Sequence, residues 1–113
     1  MRFGPWYPLD DAARHAPAGR GVLQLRVADG LLTYPTGKSA MVHYELADDV
    51  RAAAARLAPV HRGAGRVLWC RHTVEATAAD LADLDGFLAR LLRDFVRRFG
   101  AAPGAIGAAQ VAS

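Results

Sequence analysis

The stretch from Thr77 to Gly100 constrains the fold most, because its large apolar residues recur at the spacing of one helix face. Thr77-Ala-Ala-Asp80 matches a capping box with Asp in place of Glu, and Gly100 stands where a helix commonly stops. Gly86 is expected to mark a break between two helices. The apolar stripe has to be buried against a second layer of structure. It consists of Leu81, Leu84, Leu88, Leu91, Leu92, Phe95, Val96 and Phe99.

Three upstream segments have the patterns of strands. The first alternates between apolar and polar residues, with Val22, Gln24 and Arg26 on one face, and the second alternates in the same way. The third is an apolar run that is typical of a central strand. We therefore predict an α/β fold, with a small three-stranded sheet flanked by helices. Its strands are expected near residues 21–27, 39–46 and 67–72.

A helix is expected between the second and third strands. Asp48 and Asp49 precede an Ala- and Arg-rich stretch and provide N-terminal capping groups, and Pro59 is expected to end the helix.

The composition fits one globular domain. The chain has 113 residues, of which 52% are hydrophobic, and it contains no apolar run that approaches the length of a membrane helix. The N-terminus lacks the continuous apolar stretch of a signal peptide. Cys70 is the single cysteine, which excludes an internal disulfide and favours a reducing, cytoplasmic compartment.

The net charge of +3 is carried almost entirely by arginine, since Lys38 is the only lysine. This Ala- and Arg-rich, Lys-poor composition is typical of a GC-rich bacterial genome, and the charge permits an anionic partner without requiring one. Five arginines on the helices and on the third strand are candidates for contacts with nucleic acid or another anion. The alternative is that they form a solvated helix face. The candidates are Arg51, Arg71, Arg90, Arg93 and Arg97.

Gly37-Lys38-Ser39 repeats the last three letters of a P-loop, but the surrounding residues do not complete the motif. The first glycine of the motif would fall at Leu32, and Pro35 removes a backbone N–H donor. The residues that follow alternate like a strand, whereas a P-loop leads into a helix. We therefore expect no nucleotide at Gly37–Ser39 and assign these residues to a surface turn.

The order of elements and some of the letters within them resemble the GIY-YIG nuclease domain. Gly21-Val22-Leu23 stands where the family has Gly-Ile/Val-Tyr, and His43-Tyr44-Glu45 stands where it has Tyr-Ile/Val-Gly. The Pro/Gly/Ser turn before the second strand also resembles an insertion found in some members. The resemblance implies a GIY-YIG-like α/β domain over residues 17–104, preceded by an aromatic segment and short helix at 1–16 and followed by a loose tail at 105–113.

The resemblance implies metal-dependent hydrolysis of a phosphodiester, yet the family's reactive residues are replaced here. Leu23 and His43 occupy the two tyrosine positions, and Ala53 occupies the position of the helix arginine. Ala89 occupies the position of the glutamate that binds Mg²⁺, and the chain has no asparagine to fill the family's late asparagine position. Because alanine cannot bind a metal and leucine cannot relay a proton, we expect the nuclease chemistry to be lost.

A rearranged site is the alternative. His43 and Glu45 share one strand face by the period of two, and Tyr44 and Tyr34 lie in or near the same region of sequence. Cys70 and His72 form a similar pair on the third strand, so a mixed metal site is conceivable if the pairs meet. We expect instead a small core cysteine and partly exposed histidines, with no metal site.

The first seven residues carry Phe3, Trp6 and Tyr7, which are expected to cover the open edge of the core, although they would also suit an anchor for another protein. Together these observations predict a catalytically inactive GIY-YIG-like domain that binds an unknown protein, a second copy of itself or nucleic acid. No cofactor is expected. The alternative is a divergent DNA nuclease that uses Mg²⁺ with His43, Tyr44 and Glu45.

Overall fold

A computed structural model describes residues 1–104 of the chain. It confirms the mixed α/β class, and the expectation about the tail at 105–113 falls outside the described residues. The strands are β1 (Arg2–Phe3), β2 (Tyr7–Pro8), β3 (Gly21–Val27), β4 (Leu32–Tyr34), β5 (Gly37–Ser39), β6 (Met41–Ala47) and β7 (Leu68–Val74). The helices are a 3₁₀ turn (Leu9–Asp11), α1 (Ala12–His15), α2 (Val50–Gly63), α3 (Ala78–Ala82) and α4 (Leu84–Phe99).

The main sheet has five strands within the described residues, where the sequence predicted three. The order is β1-β7-β3-β6, with β2 also paired to β7, and every pairing is antiparallel. The two extra strands are two residues long, which is too short to give an alternating pattern. They pair with the outer edge of β7, so β7 lies inside the sheet, as its apolar run predicted.

The two strands joined by α2 are not neighbours. Both β6 and β7 are antiparallel to β3, which lies between them, so they are parallel to each other. The connection through α2 therefore crosses one face of β3 and covers it. This placement buries Leu23 and Leu25, which are both fully inaccessible to solvent.

The assignment of Gly37–Ser39 to a surface turn is wrong, because the turn lies at Pro35-Thr36 and Gly37–Ser39 is the return strand β5 of a two-stranded hairpin with β4. The turn between them docks on the end of α4, where the Thr36 N–H donates to the carbonyl of Phe99 at 3.2 Å and the Thr36 hydroxyl donates to that of Arg98 at 2.8 Å. The hairpin thus satisfies carbonyls that the helix end leaves without partners. β4 pairs with β5, and these two strands form a sheet of their own beside the main sheet.

The helix boundaries follow the caps more closely than the helix-breaking residues. Asp49 accepts a hydrogen bond from the Ala52 N–H at 2.9 Å and begins α2. The predicted stop at Pro59 is wrong, since α2 continues to Gly63. The turn after Pro59 contains His61, which is 9% exposed and lies with Nδ1 2.9 Å from Arg66 Nη1, so burial favours keeping this turn helical.

The predicted break in the C-terminal helical stretch exists, but it lies at Asp83 instead of Gly86. Thr77 and Asp80 form the predicted reciprocal capping box of α3. Gly86 lies in the first turn of α4, where a Cβ atom would clash with the Asp83 carboxylate. Gly100 ends α4 in the left-handed conformation at φ 80°, as predicted.

Candidate functional site

Strand alternation divides the side chains of the main sheet between two different surfaces. One surface, here called the histidine face, carries His43 and Glu45 of β6 with Cys70 and His72 of β7. It lies under α2, whose Arg56 contacts Glu45. The other surface, here called the arginine face, is partly covered by α4. It consists of Gln24, Arg26, Tyr44, Trp69 and Arg71 from the strands, with Phe3 and Trp6 from the N-terminal segment.

On the histidine face, His43 and Glu45 form the predicted pair. The His43 Nε2 atom lies 2.8 Å from Glu45 Oε1, and Arg56 binds the other carboxylate oxygen. Burial raises the pKa of Glu45, but the hydrogen bonds from Arg56 and His43 outweigh it and hold the pKa below its ordinary value. Because both carboxylate oxygens of Glu45 already have hydrogen-bond partners, the side chain serves as a structural ion pair.

Cys70 and His72 lie on the same face, but β3 separates them from the His43 pair. Leu25 pairs with His43 on one side and with Cys70 on the other, so an apolar side chain stands between the two groups. Cys70 is fully buried, and His72 is buried instead of partly exposed because Nδ1 lies 2.8 Å from the Tyr7 hydroxyl. In residues 1–104 no three His, Cys, Asp or Glu side chains are close enough to hold a metal ion.

The residues of the nuclease alternative do not converge, and neither does Tyr34, which the sequence places near them. Tyr44 follows His43 on the strand and therefore points to the opposite face, where its ring meets Phe95 of α4 at 5.7 Å between centroids. Tyr34 is buried, and its hydroxyl donates to the Met41 carbonyl at 2.6 Å while accepting from the Gly104 N–H at 3.2 Å. Tyr34 is thus a structural clamp.

The family positions carried over from the resemblance do not fit Mg²⁺. Leu23 and Ala53 are buried between the sheet and α2. Ala89 is exposed on α4, the helix that packs on the opposite face through Phe95 and Tyr44. Alanine at position 89 offers a metal ion no carboxylate ligand.

The arginine face brings two guanidinium groups together beside aromatic rings. The Arg71 Cζ atom lies 4.4 Å from the centroid of Trp6 and 4.6 Å from that of Phe3, and the Arg26 Cζ atom lies 4.8 Å from that of Trp6. Arg71 Nε donates to Gln24 Oε1 at 2.7 Å, which fixes the direction of its side chain. These contacts are cation–π interactions, which hold the guanidinium planes against the rings.

Neither arginine has a carboxylate partner among residues 1–104. Both are half-buried, and the Nε atom of Arg26 is shielded from solvent with no hydrogen-bond acceptor in the described part of the chain. Burial and, to a smaller extent, the charge of Arg26 lower the pKa of Arg71. The face therefore holds two adjacent positive charges that protein carboxylates do not neutralise.

A cleft adjoins this face between β6 and α4. Its volume is about 240 Å³, and Tyr44 lines it. Burial raises the pKa of the Tyr44 phenol above its ordinary value, against the lowering effect of the positive charges of Arg71 and Arg98. The floor is aromatic and aliphatic, and the rim is polar. The lining residues are Ser39, Met41, Tyr44, Leu91, Asp94, Phe95, Arg98 and Phe99.

The arginines named from the sequence occupy three separate places. Arg51 lies on α2, where its Nε donates to the Ala16 carbonyl at 2.8 Å and holds the loop before β3. Arg90, Arg93 and Arg97 form an exposed stripe on α4, but Arg90 is paired with Asp83 at 3.3 Å and Arg97 with Asp94 at 2.9 Å. Of the five arginines named from the sequence, only Arg71 lies on the arginine face.

Sequence reasoning missed Arg26, Trp6 and Trp69 as parts of this surface. The signal was available for Arg26, since it was placed on one strand face with Gln24. Trp69 and Arg71 are two residues apart in β7 and therefore share a strand face, which gives the same signal. In the structure both are half-buried, while Leu68, Cys70 and His72 on the other face are buried. The position of Trp6 depends on β2 pairing with β7, which local pattern does not reveal.

None of the helices in residues 1–104 is both long and apolar enough to cross a membrane. Comparisons of the chain with models of known protein families, with curated proteins and with solved structures find no match.

Proposed function

We propose that this chain is a non-catalytic binding module on a GIY-YIG-like scaffold and that it binds single-stranded nucleic acid on its arginine face. The observation that carries the proposal is the pair Arg26 and Arg71, half-buried beside Trp6 without a carboxylate in the described residues. Burying a cation without an anion is unfavourable, so an anion from outside the chain would stabilise this arrangement. Phosphate groups are anions that guanidinium binds well.

The aromatic rings favour nucleic acid over an acidic protein as the source of the anion. Trp6 and Trp69 are both half-buried on this face. Trp69 offers a π surface to an unpaired base, and Trp6 holds the guanidinium groups of Arg26 and Arg71 beside it. Proteins that bind single strands combine such rings with a cationic groove that follows the backbone. A duplex keeps its bases stacked on one another, so the rings would contribute little to binding it.

The absence of catalysis rests on the residues that replaced the family's reactive groups. Ala89 cannot bind a metal ion and Leu23 cannot relay a proton. The carboxylate of Glu45 is already bound by Arg56 and His43. A protein partner and self-association are other outcomes of the same binding experiments. The reducing, cytoplasmic location proposed for the chain rests on its single cysteine, Cys70.

Fluorescence anisotropy of a labelled single-stranded oligonucleotide tests the proposal. The double variant Arg26→Gln/Arg71→Gln is expected to bind at least about tenfold more weakly, and its log–log salt slope should fall by about 1.4, because each phosphate contact to a single strand contributes about 0.7. The control Arg14→Gln/Arg62→Gln removes the same charge from exposed positions on α1 and α2. Circular dichroism establishes that each variant is folded.

Equal loss of affinity in both double variants would contradict the proposal, because the attraction would then be general charge. Unchanged affinity in the Arg26→Gln/Arg71→Gln protein would also contradict it. A second arm with RNA of the same sequence identifies the preferred sugar, and a duplex arm is expected to bind more weakly than either single strand. Light scattering on the free protein measures its mass and detects self-association.

A further inference from the structure

The cleft between β6 and α4 has the shape and the polar groups of a base-binding pocket. Its volume of about 240 Å³ is below the roughly 300–1,000 Å³ of pockets that enclose drug-sized ligands. It therefore suits one planar ring system better than a whole nucleotide. The ring of Phe95 packs edge-on against Tyr44 at 5.7 Å and lies 4.5 Å from Phe99, so the floor is a continuous aromatic surface.

Two charged side chains of opposite sign stand at the rim, one helical turn apart on α4. The Oδ1 atom of Asp94 accepts from Arg97 at 2.9 Å, while its Oδ2 atom has no hydrogen bond within the described residues. Arg98 lies with its Cζ atom 5.3 Å from the centroid of Phe99 and has no carboxylate partner in the same part of the chain. The rim thus offers a carboxylate acceptor and a guanidinium donor that do not neutralise each other.

Two hydroxyl groups complete the polar set. The Ser39 Oγ atom accepts from the Met41 N–H at 3.1 Å, which leaves its hydrogen to donate. The Tyr44 hydroxyl makes no hydrogen bond to residues 1–104, although the ring is more than half enclosed between the strand and α4. Both groups are available to a ligand in the cleft.

We propose that this cleft binds a guanine base, with Asp94 accepting from the base and Arg98 donating to it. Guanine has N–H donors at N1 and N2 that match a carboxylate, and acceptors at O6 and N7 that match a guanidinium. Adenine has no O6 acceptor and no N2 donor, and cytosine presents fewer groups of both kinds. The inference rests on the proposed function, because Tyr44 connects the cleft to Arg71, where the phosphate of the same strand would lie.

Oligonucleotides that differ at one base test the proposal. A strand with one guanine among thymines is expected to bind about tenfold more tightly than the same strand with adenine or an abasic site at that position. Replacing guanine by 7-deazaguanine removes the N7 acceptor and should abolish part of this increase in affinity. Asp94→Asn should abolish the preference for guanine over adenine, whereas Asp85→Asn, an exposed acid of the same helix, should keep it.

One further variant separates the role of Asp94 from its ion pair. Arg97→Gln removes the partner of Asp94 Oδ1 and is expected to retain the guanine preference. Loss of the preference in that variant, or its survival in Asp94→Asn, would overturn the proposal.

A second readout distinguishes failure of the cleft from failure of the arginine face. Guanosine monophosphate is titrated into the protein while the ring resonances of Tyr44 and Phe95 are followed by NMR, with cytidine monophosphate as the comparison. If strands bind but the base makes no difference and neither nucleotide shifts these resonances, the cleft proposal is wrong and the proposed function stands. If guanosine monophosphate shifts them while strands do not bind, the cleft proposal stands and the proposed function is wrong.

Discussion

At the scale of single residues, alternation along a strand decides which chemistry a side chain can join. His43 and Glu45 point under α2, while Tyr44 between them points to α4. The same rule places Cys70 in the core and Arg71 on the arginine face. Three consecutive polar residues in sequence are therefore divided between two surfaces, so His43, Tyr44 and Glu45 do not face one common cleft.

Leu23 is the residue where a small change should cost most stability. It is fully buried in β3 between the neighbouring strands and α2. Leu23→Ala is expected to lower the free energy of unfolding by about 2–5 kcal/mol, because the cavity adds to the lost transfer energy. Leu31→Ala is the matched control, since Leu31 is 61% exposed, and should change stability by no more than about 0.5 kcal/mol. Urea denaturation followed by circular dichroism measures both, and similar losses would contradict the burial described.

His72 should make stability depend on pH near neutrality. Burial, with a smaller effect from His15, lowers the pKa of His72 below its ordinary value of 6.5. The unfolded chain therefore binds a proton at a higher pH than the folded one does. The stability present above about pH 6.5 is lost as the pH falls through the lowered pKa.

The wild-type free energy of unfolding is thus expected to decrease between about pH 7.5 and pH 5. His61, whose pKa is lowered by burial and by Arg66 and His43, contributes in the same direction. His72→Gln should give a shallower decrease, measured by urea denaturation at each pH. A decrease as steep as that of the wild type would show that His72 does not supply the dependence.

At the scale of elements, capping and packing explain the boundaries better than single helix breakers do. The N-terminal cap of α2 is the side chain of Asp49. Asp48 beside it is exposed, and its Oδ1 atom lies 3.8 Å from Arg20 Nε. Asp49→Ala is expected to destabilise the protein by about 0.5–2 kcal/mol. Asp48→Ala should cost little, since an exposed pair is worth at most about 1 kcal/mol. Thermal unfolding compares the two, and equal effects would contradict the cap.

Local pattern was sufficient for the long elements. The capping box at Thr77 and the stop at Gly100 were predicted and are present. The predicted apolar stripe is helical but only partly buried, since Leu84 and Phe95 are buried whereas Leu81 and Val96 are exposed. The three long strands were predicted to within about two residues at each end. These features depend on side chains only a few positions apart, which is why the sequence alone reveals them.

Features that depend on distant residues could not be predicted in this way. The short strands β1 and β2 exist because their backbone pairs with β7, more than sixty residues away. The helix continues through Pro59 because His61 is buried by the tertiary packing. The candidate site shows the same division: the His43–Glu45 pair was predicted from the period of two, whereas the meeting of Trp6 with Arg26 and Arg71 required the fold.

At the scale of the whole molecule, α2 closes one side of the sheet and α4 covers the other side incompletely. The histidine face lies on the closed side. The arginine face lies on the open side, and its Arg26 and Arg71 have no carboxylate partner in residues 1–104. We expect no cleavage when the purified protein is incubated with labelled DNA and Mg²⁺ or Mn²⁺. The resemblance to the GIY-YIG domain puts the metal-binding glutamate at position 89, where this chain has alanine, which cannot bind a metal ion. Metal-dependent cleavage that His43→Ala abolishes would support the nuclease alternative instead.

The fluorescence of Trp6 tests the central claim most directly. The chain has two tryptophans, so Trp69→Phe leaves Trp6 as the single reporter beside Arg26 and Arg71. Titration with a single-stranded oligonucleotide is expected to quench this emission, at the concentrations where anisotropy reports binding, and added salt should reverse the change. Binding that leaves the emission of Trp6 unchanged, or no binding of the wild-type chain at low salt, would contradict the account.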